Sequence, residues 1–154
     1  MLIRNLLLLL SLLFACRVVV AAEHSFDSVT LWRGACEGTC PVYSVKIMSD
    51  GTVLFDLTGG KRTDHISAAD LAFLSDALSR LDRSVFNDKL KEKADECRSG
   101  TVDFPDASIE VIRGSSRQTM SYNPACREVP GAVRVNWLAA TIDEIARTEQ
   151  WVAP

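Results

Sequence analysis

Four cysteines restrict what this chain can become more than any other feature: Cys36, Cys40, Cys97 and Cys126, which remain once the N-terminal leader is set aside. An even number in an exported chain reads as a disulfide framework, and four cysteines allow three connectivities. Cys36 and Cys40 are four apart with Gly38 between them. A tight turn there can bring their Cα atoms within the roughly 4.4–6.8 Å that a disulfide spans. Cys97 precedes and Cys126 follows a stretch that reads as a hairpin, and antiparallel strands return the chain to its starting end. The expected pairs are therefore Cys36–Cys40 and Cys97–Cys126. The second closes a loop of about 30 residues, a stabilisation of around 3 kcal/mol in the loop-entropy picture. Zinc sites usually show closely spaced cysteine pairs at both ends, and only Cys36/Cys40 has that spacing. Redox motifs are usually C-x-x-C at the start of a helix, whereas Cys36-x₃-Cys40 runs into Pro41 and a strand. A structural bridge is expected, with no metal; thiol–disulfide exchange at Cys36 and Cys40 is the competing reading.

The oxidising compartment is inferred from residues 1–22. Arg4 supplies a basic start, and Leu6 to Ala15 form an almost purely apolar run of ten. Ten residues are too few for the roughly 20 that a bilayer-spanning helix needs, and this pattern is that of a secretory signal. Arg17 interrupts the run before Val18 to Ala22 could extend it. Val20-Ala21-Ala22 offers small residues for cleavage, leaving Glu23 first and residues 23–154 as one domain. Leu13-Phe14-Ala15-Cys16 offers an alternative. It resembles a lipobox, in which Cys16 would be lipidated and the protein held to the envelope by acyl chains. The expected location is periplasmic or secreted, with that lipid anchor as the alternative and no membrane span in the mature chain.

Past the leader, Val29 and Leu31 alternate with polar neighbours in a first strand, and Tyr43, Val45 and Ile47 do so in a second. Asp50-Gly51 predicts a type I′ hairpin turn into a third strand carrying Val53, Phe55 and Leu57. After Gly59-Gly60, Lys61 to Ile66 can add a short edge strand. Ser67-Ala-Ala-Asp70 reads as a capping-box-like helix start, with Ile66 and Leu71 placed for a hydrophobic staple. Leu71, Leu74, Leu78 and Leu81 form the stripe that must face a sheet. Asp82 to Gly100 is charged and weakly periodic and reads as a solvated loop or short irregular helix. Ile109 and Val111, then Met120 and Tyr122, mark two strands joined at Gly114-Ser115. Pro130 opens a last helix at a favoured early position, with Val135, Leu138, Ile142 and Ile145 buried and Trp151 packing back. The expectation is an α+β domain: an antiparallel sheet of about five strands with two helices on one face, in the order β-β-β-α-β-β-α.

Chemistry is harder to find. Without Arg4 and Arg17, fifteen basic residues face twenty acidic ones, and no basic stripe occurs. Nucleic acid and anionic lipid surfaces are therefore poor partners. Only two histidines occur: His24 near the mature N-terminus and His65 at a strand end. A lone histidine builds neither a metal site nor a His-based nucleophile system. Asp103 and Asp106 flank Pro105, which suits a turn better than a carboxylate pair. No catalytic set or cofactor motif stands out, so an enzyme is not expected and no cofactor is implied. The most distinctive surface is the loop from Arg33 to Tyr43. There, Gly34 and Gly38 would let backbone approach a partner, Arg33 could fork onto a carboxylate or phosphate, and Glu37 is the tip charge. Those five residues (Arg33, Gly34, Glu37, Gly38 and Tyr43) are the candidate binding loop.

The run from Arg33-Gly-Ala-Cys-Glu-Gly-Thr-Cys-Pro-Val-Tyr-Ser to Val45, followed by Asp50-Gly-Thr-Val53, resembles the opening of an uncharacterised bacterial exported domain family, domain of unknown function 6438. The resemblance continues through Ile66-Ser67, the Cys126 region, Ile142-Asp143 and Trp151, covering residues 28–152. It implies an envelope or secreted location and a small α+β fold, and brings no catalytic residues. The functional expectation is a monomeric, non-enzymatic binding or structural module of the envelope, with a protein or glycan partner.

Overall fold

In the computed structural model, residues 25–36, 38–57, 60–81, 107–122 and 131–152 are described. The period-two apolar pattern becomes six strands: β1 (Ser28–Arg33), β2 (Tyr43–Met48), β3 (Thr52–Leu57), β4 (Gly60–His65), β5 (Ala107–Arg113) and β6 (Ser116–Tyr122). They form one antiparallel sheet in the order β4-β3-β2-β1-β5-β6. The sixth strand is β4, whose sequence carries no apolar alternation and which lies exposed along an edge. Its ladder with β3 holds it in place, without an apolar face of its own.

One sheet face carries Val29, Leu31, Val45, Ile47, Val53, Phe55, Ile109 and Val111, all essentially inaccessible to water. Burying each such side chain contributes about 1.5–3 kcal/mol, so this face dictates the packing. Helices α1 (Ala68–Ser79) and α2 (Ala132–Ile145) supply its cover, and α3 (Glu149–Val152) is a short final turn. Leu71, Leu74 and Leu78 are buried from α1, and Val135, Leu138 and Ile142 from α2. Leu81, Ile145 and Trp151 pack at the margin of the same core. β4 and β5 run in the same direction with three strands between them, so the connection that includes α1 crosses the sheet. Among the described residues no helix is long and apolar enough to cross a membrane.

The ends of these elements show which local signals won. Ser67 caps α1: its hydroxyl accepts from the Asp70 amide at 3.1 Å and donates to the Asp70 carboxylate at 2.7 Å. Ile66 and Leu71, on either side of the cap, are both in the core. The turn between β2 and β3 is not type I′, which needs positive φ at two central residues. Only Gly51 is left-handed there, at φ 88°. Its amide bonds the Met48 carbonyl at 2.9 Å, closing a three-residue loop that ends in a left-handed glycine. Asp50 instead turns its carboxylate onto the Thr52 amide at 2.8 Å, which holds its pKa below the usual value. Between β5 and β6, Gly114 alone is left-handed, as a two-residue type II′ turn requires. Helix α2 begins at Ala132 behind a left-handed Gly131 cap, so Pro130 precedes the helix instead of occupying its first position. The pairing Cys97–Cys126, the segment 82–100, Asp103, Asp106, His24 and Cys16 lie outside the described residues.

Candidate functional site

Alternation along β1 and β2 decides where the candidate loop is anchored. Arg33 continues the parity of Val29 and Leu31, and Tyr43 that of Val45 and Ile47, so both side chains point to the helix side of the sheet. The two residues are also register partners across the β1–β2 ladder. The chain between them leaves the sheet and is bridged by Cys36–Cys40, with Cα atoms 5.6 Å apart. The Gly38 amide donates to Cys36 Sγ at 3.3 Å.

Both flanking side chains meet one carboxylate. Arg33 Nη2 lies 2.7 Å from Asp143 Oδ2, with both side chains largely covered. Tyr43 Oη donates to Asp143 Oδ1 at 2.8 Å, and Thr148 Oγ1 donates to the same oxygen at 3.1 Å. Asp143 stands in the last turn of α2, where the helix dipole disfavours a negative charge. The guanidinium and two hydroxyls supply the compensation. Backbone geometry reinforces the placement: the Thr148 amide bonds the Asp143 carbonyl and the Arg147 amide the Glu144 carbonyl, both at 3.0 Å. That pattern is a Schellman C-cap, here with Arg147 at φ 53° where glycine is customary. Arg147 is held in turn by Asp64 of β4 at 2.6 Å. The Asp64 carboxyl has its pKa lowered, first by the His65 amide and then by Arg147.

Around the clasp lies an aromatic file. The Tyr43 and Phe55 rings are 5.3 Å apart, and those of Phe55 and Trp151 are 4.7 Å apart, within the range of favourable ring pairs. Burial, followed by the Asp143 charge, pushes the Tyr43 phenol up to about 12. Chemically this arrangement holds; it offers no free base. Arg33 is engaged by the chain's own Asp143 carboxylate, and the outward face of the loop is made by Ala35, Gly38, Thr39 and Pro41, all exposed. Gly34 is buried, and Glu37 lies outside the described residues. Gly38 has an ordinary φ, and a Cβ there would meet only Cys36 Sγ, at a normal 3.7 Å. Among the described residues no three His, Cys, Asp or Glu side chains gather as metal ligands.

Sequence reasoning reached Arg33, Tyr43 and the cysteines but not Thr148, and Asp143 only as part of a resemblance. The available signal for Asp143 was an acidic residue in the last turn of an amphipathic helix, where a dipole argument asks for a partner. A family model described as "Domain of unknown function (DUF6438)" matches residues 27–146. No curated protein matches the chain.

Proposed function

Because the chain belongs to the DUF6438 family, whose description assigns no activity, we propose that it works as an exported binding module of the cell envelope, without catalysis of its own. Its contact surface is the disulfide-locked loop 34–42, and its partner is an envelope protein or glycan. The single observation that carries this reading is the double anchoring of the loop. Both flanking residues bind Asp143, and a five-residue bridge fixes what lies between them. A loop ordered before it meets a partner loses less entropy on binding. The leader sequence supports delivery to the periplasm or outside the cell, as a free monomer after cleavage or tethered through Cys16.

A photo-reactive residue placed at Thr39 in the producing cell tests the surface, with Ser115 on the β5–β6 turn as control. A discrete adduct from position 39 that is missing from position 115 is expected. No adduct at 39, or the same adducts from both, overturns the proposal. Thiol–disulfide exchange by Cys36 and Cys40 is the rival, motivated by the Gly38 amide on Cys36 Sγ, which would favour a thiolate. A redox titration separates the two. A structural bridge stays oxidised below about −300 mV, whereas an exchanging pair opens well above it.

A further inference from the structure

The sheet face turned away from the helices has a distinctive residue of its own. Trp32 stands two positions before the loop on the inner strand β1, and alternation sends it opposite to Leu31 and Arg33. It is 42% exposed, and among the described residues no second ring stacks on it. Cross-strand neighbours are what an aromatic on a sheet ordinarily packs against. Here both neighbours are serines, Ser44 on β2 and Ser108 on β5.

The same row continues through Asp56 and Lys61 on one side and Ser121 on the other. Neighbouring strands lie about 4.8 Å apart, so hydroxyl-bearing residues flank the indole at one strand spacing on each side. Charge on this face is largely cancelled. Lys61 lies 3.5 Å from Asp56, and Arg117 lies 3.0 Å from Glu110; Lys46 adds one further cation. The outward residues of the adjoining loop, Ala35, Gly38, Thr39 and Pro41, carry no charge. An anionic ligand calls for clustered forked donors, and a protein partner for an aromatic anchor in a closely packed, desolvated pocket. An open ring in a row of small hydroxyls fits a third chemistry, that of a neutral hydroxylated ligand.

We infer that the open face of β2, β1 and β5 seats a neutral pyranose unit of an oligosaccharide, its ring C–H bonds on the Trp32 indole and its hydroxyls bonded to Ser44 and Ser108. The face of an indole is the negative side of its quadrupole, and the C–H bonds of a pyranose are made positive by the oxygens around the ring. Serine both donates and accepts, which suits a hydroxyl in either role. A chain laid across the strands meets Asp56 on one side of the indole and Ser121 on the other. The inference rests on the reading of this protein as a binding module. It selects the glycan as partner and extends the contact surface from the loop onto the sheet.

Isotope-labelled protein is titrated with cellohexaose, maltohexaose and the tetramer of N-acetylglucosamine, and followed by NMR. Saturable shifts of the Trp32 indole and of the Ser44 and Ser108 amides are expected for at least one of the three, with the Trp137 and Trp151 indoles as internal controls. Trp32→Ala should weaken that binding at least about tenfold, while Trp32→Tyr keeps part of it. Ser44→Ala and Ser108→Ala should each weaken it by about threefold or more. Because the ligand is neutral, raising sodium chloride from about 0.05 to 0.5 M should change the affinity by less than about twofold. No saturation by any of the three at about 10 mM, unchanged affinity in Trp32→Ala, or unchanged affinity in the Ser44→Ala/Ser108→Ala double variant overturns the inference. Unperturbed amide spectra of the free variants establish that they are folded. The photo-crosslink at Thr39 separates this inference from the reading of the loop. An adduct at 39 without saccharide binding rejects the sheet site alone, and saccharide binding without an adduct rejects the loop alone. A protein adduct at 39 that Trp32→Ala abolishes, with no saccharide bound, would make the occupant a protein and overturn the inference.

Discussion

Tyr43 is where a single proton reports on the whole clasp. Its phenol ionises near 12, against about 10 for an unburied tyrosine. The folded state therefore holds that proton more tightly than the unfolded chain does. Its contribution is complete below pH ~10 and is lost as pH rises through ~12, a loss of roughly 2–3 kcal/mol. The chain has only two tyrosines, so an absorbance titration should resolve one late step that Tyr43→Phe abolishes. A single step near 10 for both would contradict the clasp geometry. Asp143 is the other decisive residue. Asp143→Ala removes the acceptor shared by Arg33, Tyr43 and Thr148 and should cost about 2–3 kcal/mol in urea unfolding; Asp143→Asn, which keeps one acceptor oxygen, should cost less. Little of this was legible in advance. Residue chemistry flagged Arg33 as a fork donor, but nothing in a one-dimensional pattern says that the carboxylate it grips is supplied 110 positions later.

At the scale of elements the sequence spoke more plainly. The stripes of α1 and α2 and the alternation of β1, β2, β3 and β5 were readable because burial of one face imposes its period on the residues. Turn chemistry was readable only in part. Asp50-Gly51 gave a hairpin of the right place and the wrong type, because Asp50 stays right-handed and turns its carboxylate onto Thr52. Gly51 is constrained twice. It has φ 88°, and a Cβ there would lie 3.0 Å from the His65 ring and 3.3 Å from the Ile66 carbonyl. Gly51→Ala should therefore destabilise by at least about 1–2 kcal/mol, measured as a shift in urea midpoint. Gly114→Ala, left-handed but in open space, should cost no more than about 1 kcal/mol. Equal costs at the two positions would mean that the close approach of His65 and Ile66 carries no energy. The strand β4 escaped periodicity altogether, since an edge strand with charged side chains has no apolar face to betray it.

For the molecule as a whole, the order of elements followed from pattern, while the order of strands in the sheet did not. Adjacent strands can be paired from turn signals, but the neighbour of β1 on its far side is chosen by a crossover that no short-range signal encodes. Covalent state is the other whole-molecule property open to test. Intact mass of the native product under non-reducing conditions should match the chain from Glu23 with two bridges, roughly four hydrogens lighter than the four-thiol form. A mass showing four free thiols would remove the framework, and a lipid adduct would move the first residue to Cys16. The central position of β1 also has a temporal consequence. Ser28 must wait for Ile112, and Leu31 for Ile109, before the strand is flanked on both sides. A nascent chain released N-terminus first can close the four-stranded meander early, yet it carries an unpaired seam of backbone N–H and C=O groups along β1 until residues 107–113 emerge. During that interval the seam is the part of this protein most open to mispairing, and the part a holding chaperone would have to shield.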